Sequence, residues 1–191
     1  MKRAVFLDRD GTMIEEVSYL RRLEDIALFP WTADAIRALD RAGLAVVVTT
    51  NQSGVARGFL TEALLGDIHR AIAHKLDAAR APVRAYYYCP HHPDGQVPAF
   101  TKVCDCRKPA SGMVMRAARE LGLDPASSFV VGDSWLDVGL ARSCGAQAIL
   151  VRTGNGAQAE AAPIPNLTAD VIVDNLAAAA SWILQSLKSE V

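Results

Sequence analysis

Val5-Phe6-Leu7-Asp8-Arg9-Asp10-Gly11-Thr12 is the stretch on which the reading of this chain turns. A short apolar run ending in acid has the pattern of a buried strand whose carboxyl end carries Asp8. Asp8 and Asp10 are two residues apart and can face the same pocket. Gly11 lets the chain turn sharply and approach a ligand. Like charges this close repel each other unless a cation lies between them or one holds a proton. An ordinary acidic turn can carry the same residues, so the rest of the chain has to decide.

Further apolar runs at residues 44–48, 83–88, 129–131, 149–151 and 171–173 also read as strands. Helical patterns lie between them. One runs over residues 32–41, with Thr32 as its cap, Ala35, Ile36 and Leu39 on one face, and Gly43 as its stop. A second opens at Thr61 and places Leu64, Leu65, Ile68, Ile72 and Leu76 at helical spacing. A third is capped by Ser111 and stopped by Gly122, a fourth starts near Trp135, and a last one covers residues 177–187. Residues 11–30 have no clear period and read as a flap or loop, and residues 154–165 read as a surface loop. Strands alternating with helices predict an α/β fold, a doubly wound parallel sheet covered on both faces. We expect one domain over residues 1–191, with no inserted stretch long enough for a large cap domain. In such sheets ligands bind beyond the carboxyl ends of the strands.

Acids at those ends therefore matter. Val130-Val131-Gly132-Asp133 puts a carboxylate after a second strand, with Asp137 one helical turn on. Asp133 could cap a helix, or it could complete a Mg²⁺ site with Asp8, since oxygen ligands and phosphate suit that ion. Thr49-Thr50-Asn51-Gln52-Ser53-Gly54 follows another strand and offers hydroxyls, amides and backbone N–H groups to phosphate oxygens. Lys108, in Arg107-Lys108-Pro109, can offset charge on a transferring phosphoryl group.

Residues 89–109 break the pattern with four prolines, three cysteines and a His-His pair. Cys89-x-His91 and Cys104-x-Cys106 supply three sulfurs and an imidazole, a set suited to a closed, structural Zn²⁺ site. Spacing leaves His92 open as an alternative to His91. Cys144 reads as a plain buried thiol, and His69 and His74 as surface or half-buried residues. The formal net charge of -1 excludes a basic footprint for nucleic acid. No apolar run approaches a membrane span, and the run after Met1-Lys2-Arg3 is too short for a signal peptide. We expect a cytoplasmic protein with reduced thiols.

Taken in order, Asp8-x-Asp10-Gly11-Thr12, Thr50, Lys108 and Gly132-Asp133 with Asp137 resemble the haloacid dehalogenase superfamily of phosphatases, over about residues 4–152. The resemblance implies that superfamily's Rossmann-like fold. It also implies that Asp8 is a nucleophile forming an aspartyl phosphate and that Asp10 acts as acid and then base. Thr50 and Lys108 would hold the phosphoryl group, and Asp8, the Asp10 carbonyl and Asp133 would bind Mg²⁺.

A narrower resemblance rests on Thr50-Asn51-Gln52-Ser53-Gly54-x-Ala56-Arg57-Gly58, Cys89-Pro90-His91-His92-Pro93 and Cys104-Asp105-Cys106-Arg107-Lys108-Pro109. These are similar to the D-glycero-D-manno-heptose 1,7-bisphosphate phosphatases and the related histidinol-phosphate phosphatases. The family pattern favours His91 as the zinc ligand. It implies substrate contacts at Glu16, Val17, Ser18, Tyr19, Asn51, Gln52, Ser53, Arg107 and position 134. Many members carry Lys or Arg at that last position, where this chain has Ser134. The expectation is a monomeric phosphatase for a small sugar bisphosphate, the C7 phosphate of a lipopolysaccharide precursor. A histidinol-phosphate phosphatase, a nucleic-acid 3′-phosphatase and a non-catalytic phosphoacceptor or zinc module follow as alternatives. Asp10 favours turnover over signalling, because a phosphoacceptor does not need a second acid.

Overall fold

The computed structural model describes residues 1–189. Its sheet is built from β1 (Ala4–Leu7), β2 (Ala45–Asn51), β3 (Ala85–Cys89), β4 (Phe129–Gly132), β5 (Gln147–Val151) and β6 (Val171–Val173). All neighbouring strands are parallel, in the order β3-β2-β1-β4-β5-β6. The helices are α1 (Thr32–Arg41), α2 (Glu62–Ala78), α3 (Gly112–Leu121), α4 (Trp135–Cys144), α5 (Gly156–Ala161) and α6 (Leu176–Ser189).

Side chains alternate across a strand, so a sheet covered on both faces has two cores. On one face Val5, Leu7, Val46, Val48, Phe129 and Val131 pack against α1, α2 and α6 through Ile36, Leu39, Ile68, Ile72, Ala179 and Ile183. On the other Phe6, Val47 and Val130 meet α3 and α4 through Val114, Ala117, Val138 and Ala141. This double burial is why the strands read as unbroken apolar runs.

The chain builds β1, β2 and β3 outward in one direction and then returns to lay β4 on the other side of β1. That reversal opens a crevice between the carboxyl ends of β1 and β4. Val5, Phe6 and Leu7 are in register with Phe129, Val130 and Val131, so Asp8 and Asp133 leave adjacent strands almost level.

Several local readings change. Thr32 does not cap α1. Trp31 holds the cap position without a side-chain bond, and the Thr32 hydroxyl donates to the Met13 carbonyl at 2.7 Å. Ser111 occupies its cap position but makes no capping bond, whereas Thr61 accepts from the Leu64 N–H at 3.1 Å. Residues 154–165 contain α5 rather than only a loop. The segment after Gly11 is pinned by buried Met13, Ile14, Leu20 and Ile26 and includes a 3-10 turn, Leu23–Asp25. No helix among the described residues is long and apolar enough to cross a membrane.

Candidate active site

Asp8 closes β1, and its N–H donates to the Val131 carbonyl at 2.9 Å. Beside it the buried Lys108 ammonium donates to Asp8 Oδ1 and to Asp137 Oδ1, each at 2.6 Å, and to the Thr49 carbonyl at 3.1 Å. Asn51 clamps the Lys108 backbone on both sides. Its Oδ1 accepts from the Lys108 N–H at 3.0 Å, and its Nδ2 donates to the Lys108 carbonyl at 3.3 Å. The other oxygen of Asp137 takes the Ser134 hydroxyl at 2.5 Å. Asp137 is thereby engaged as an anchor for Lys108, although its carboxylate lies close to those of Asp8 and Asp133.

Asp133 Oδ2 accepts from the Asn155 backbone N–H at 2.8 Å and the Asn155 amide at 3.2 Å. Two glycines allow this packing. Gly11 has φ of +75°, and a Cβ there would sit 2.2 Å from Asp133 Oδ2. A Cβ at Gly154 would sit 2.3 Å from the same oxygen. Asp10 turns both oxygens toward Arg9, while Gln52 Nε2 bonds Asp10 Oδ2 and Thr50 Oγ1, both at 2.8 Å.

Burial and crowding load this site with negative charge. Burial pushes the Asp8 carboxyl up to about 8. The charges of Asp137, Asp133 and Asp10 add to this, and Lys108 opposes it. Asp133 is pushed up to about 6, chiefly by burial, against its hydrogen bonds from Asn155. Glu16 rises to about 7 through burial and then through Asp10 and Asp133. Burial alone would lower the Lys108 ammonium, but Asp137 and Asp8 outweigh it and hold its pKa above the usual range. One buried ammonium does not balance these carboxylates. An all-oxygen cluster with surplus negative charge fits a hard divalent cation.

These groups open on a cavity of about 310 Å³. It is lined by Asp8, Asp10, Thr50, Lys108 and Asp133, and by Glu16, Val17, Ser18, Tyr19, Asn51, Gln52, Ser53 and Ser134. Arg107 is the one expected substrate contact outside that lining, and its guanidinium donates to the His91 carbonyl at 3.3 Å. A larger groove of about 620 Å³ runs along β3 and α3 but holds none of the strand-end acids.

The loop before Lys108 gathers Cys89, His91, Cys104 and Cys106. Their sulfurs are 3.1–3.5 Å apart, and His91 Nδ1 lies 3.3 Å from Cys106 Sγ and 3.8 Å from Cys89 Sγ. Those gaps are too long for a disulfide, whose S–S bond is about 2.0 Å. They approach the edges of a tetrahedron with Zn–S bonds of about 2.3 Å. His92 faces elsewhere, toward Arg57 and the Asp94 N–H. Cys144 is half-buried and free.

Arg9 and Asn155 were not singled out in the sequence, and His69, expected at the surface or half-buried, is instead buried against Arg9 and Tyr86 where α2 packs on the sheet. Arg9 is buried, and Asn155 contacts the cluster from the turn after β5. The basic letter between the two acids was the available signal for Arg9.

A fold with strand-end acids at its switch point, a buried lysine and these ordered motifs defines a class. The chain belongs to the haloacid dehalogenase superfamily of phosphatases and is a phosphoric monoester hydrolase. Two family profiles match it: HAD-hydrolase-like over residues 105–179, and polynucleotide kinase 3 phosphatase over residues 3–138. Relatives matching nearly its full length are more particular. The D-glycero-beta-D-manno-heptose-1,7-bisphosphate 7-phosphatase of Yersinia pestis is 38% identical over 96% of this chain and 90% of its own. That of Escherichia coli K12 is 39% identical over 96% and 89%. The D,D-heptose 1,7-bisphosphate phosphatase structure from B. bronchiseptica, complexed with magnesium and phosphate, superposes with a TM-score of 0.85 at 36% identity, covering 97% of this chain and 99% of that one.

Proposed function

We propose that this chain hydrolyses the C7 phosphate of D-glycero-D-manno-heptose 1,7-bisphosphate through an aspartyl phosphate on Asp8. The observation that carries this reading is the pairing of Asp8 with buried Lys108 at the floor of a small cavity walled by residues 16–19 and 51–53. The full-length relatives support the sugar bisphosphate as substrate. The near-neutral charge of the chain argues against a nucleic-acid 3′-phosphate.

In the first half-reaction an Asp8 oxygen forms a bond to phosphorus while the bond to the sugar oxygen breaks. Asp10 gives its proton to that oxygen. In the second, Asp10 takes a proton from water, the water oxygen bonds to phosphorus, and the phosphate leaves Asp8 as the free carboxylate. Thr50 and Lys108 hold the phosphoryl oxygens, and Lys108 offsets the charge that gathers there. Asp8, the Asp10 carbonyl and Asp133 would hold Mg²⁺, whose charge would let a phosphate dianion approach a carboxylate. Zn²⁺ on Cys89, His91, Cys104 and Cys106 would brace the loop that leads into Arg107 and Lys108. The protein would act as a cytoplasmic monomer of one domain.

A phosphate-release assay comparing both anomers of the heptose bisphosphate, histidinol phosphate and a 3′-phosphorylated oligonucleotide tests this. The expected result is a kcat/KM for one heptose anomer well above the other three. Preference for histidinol phosphate or the oligonucleotide would overturn it.

A further inference from the structure

Arg9 has no role in the chemistry described above, yet it is the largest of the fully buried side chains. Removing a guanidinium from water is strongly unfavourable unless its donors are matched. Here they are matched from three directions. Nε lies 3.1 Å from both oxygens of Asp10, and NH2 lies 2.9 Å from Oδ1 and 2.8 Å from Oδ2. NH2 also donates to Gln52 Oε1 at 3.0 Å, and NH1 faces His69 Nε2 at 3.2 Å.

His69 can only accept there. Burial first, and the Arg9 charge next, push its pKa down to about 3, so the ring is neutral and Nε2 takes the NH1 proton. The ring is fixed in turn by stacking on Tyr86, with centroids 5.1 Å apart, and by a tilted contact with Tyr88 at 5.8 Å. His69 comes from α2 and Gln52 from the segment after β2. Two separate elements thus grip one guanidinium, and that guanidinium together with Gln52 grips one carboxylate. Asp10 and Gln52 line the cavity; Arg9 and His69 do not.

We propose that Arg9 is a positioning residue for Asp10: braced by His69 and Gln52, its guanidinium holds the Asp10 carboxylate in one rotamer at the wall of the cavity where the scissile ester would lie. Arg9 acts from behind and touches no substrate. This rests on the assignment of Asp10 as the group that protonates the leaving oxygen. A carboxyl that must meet one oxygen atom loses rate steeply when misplaced. A flexible side chain beside a solvent-filled cavity would otherwise sample several rotamers.

Leaving-group dependence separates this role from a merely structural one. An alcohol needs a proton as it departs, whereas a nitrophenolate does not. The ratio kcat/KM reports only steps up to departure of the leaving group, so the later attack of water does not enter. We would measure kcat/KM for the heptose bisphosphate and for p-nitrophenyl phosphate in Asp10→Asn, Arg9→Met, His69→Leu and His69→Gln. Asp10→Asn and Arg9→Met should each lose on the order of 10²-fold or more on the sugar ester and far less on the nitrophenyl ester. His69→Leu should show a smaller loss in the same sense, and His69→Gln should restore it, because the amide oxygen can replace Nε2 as acceptor. Equal losses on both esters in Arg9→Met, or no loss on either, overturn the proposal while asymmetry in Asp10→Asn leaves the role of Asp10 standing. Equal losses in Asp10→Asn remove that role and the proposal with it. If thermal melting shows that Arg9→Met does not fold, the His69 pair decides. Asymmetry rescued by Gln supports the positioning role, and symmetric losses overturn it.

Discussion

A single atom can decide whether this site works. Asp8→Asn keeps the shape of the side chain and removes the attacking charge, so turnover measured by phosphate release should vanish while the circular dichroism spectrum stays unchanged. Gly11→Ala should be as damaging for a steric reason. A residue with a Cβ disfavours φ of +75°, and that Cβ would collide with Asp133 Oδ2 at 2.2 Å. Asn155→Ala is milder, because the backbone N–H to Asp133 survives and only the 3.2 Å amide bond is lost. Removing such an outer support of a metal ligand costs about 10- to 100-fold in affinity. We expect the lower end, read as a rise in the Mg²⁺ concentration that gives half-maximal activity. Asp8, Asp10 and Lys108 were legible because each sits in a short local motif. Arg9 and His69 were not, because they are 60 positions apart and only α2 packing on the sheet brings them together.

At the scale of elements, most helices and strands followed from apolar periodicity, and one cap was misread because a tertiary partner outcompeted a local one. Thr32 had the right residue type for a cap, but its hydroxyl is bound to Met13, nineteen positions earlier. Thr61 has no such rival and caps α2. Thr61→Ala should cost about 1 kcal/mol of stability in denaturant titration and leave kcat unchanged, since neither Thr61 nor Glu62 lines the cavity that holds the acids. The loop that gathers Cys89, His91, Cys104 and Cys106 is an element with little apolar content of its own. Elemental analysis should find about one zinc per chain, in keeping with a four-ligand structural site. Cys106→Ser should lose much of that zinc. Displacing Lys108 should then lower the rate, and small misplacements of positioning groups cost on the order of 10²-fold. Cys144→Ser should change neither quantity. Full zinc content in Cys106→Ser would argue that these four side chains are not the ligand set.

For the molecule as a whole, the sheet order explains why acids more than a hundred residues apart act together. Because β4 returns to the side of β1, Asp8 and Asp133 converge with Asp137 into a buried cluster whose repulsion Lys108 partly offsets. Removing Mg²⁺ with a chelator should abolish turnover, and adding it back should restore it; undiminished activity in a demonstrably Mg²⁺-free sample would falsify the cation requirement. The linear chain by itself determined the parallel α/β class, the strand-end acids, the Lys108 motif and the thiol and imidazole set of the loop. All of these depend on residue type at short spacing, and short spacing is what apolar periodicity and motifs record. The family resemblance already favoured His91 over His92, and His91 lies with the thiols; only the tertiary structure decided that Asp137 is spent on Lys108 and Ser134 and that Arg9 is buried behind Asp10. Each of those outcomes is a choice among several chemically able partners. Distance between packed elements makes the choice, and no local pattern along the chain encodes that distance.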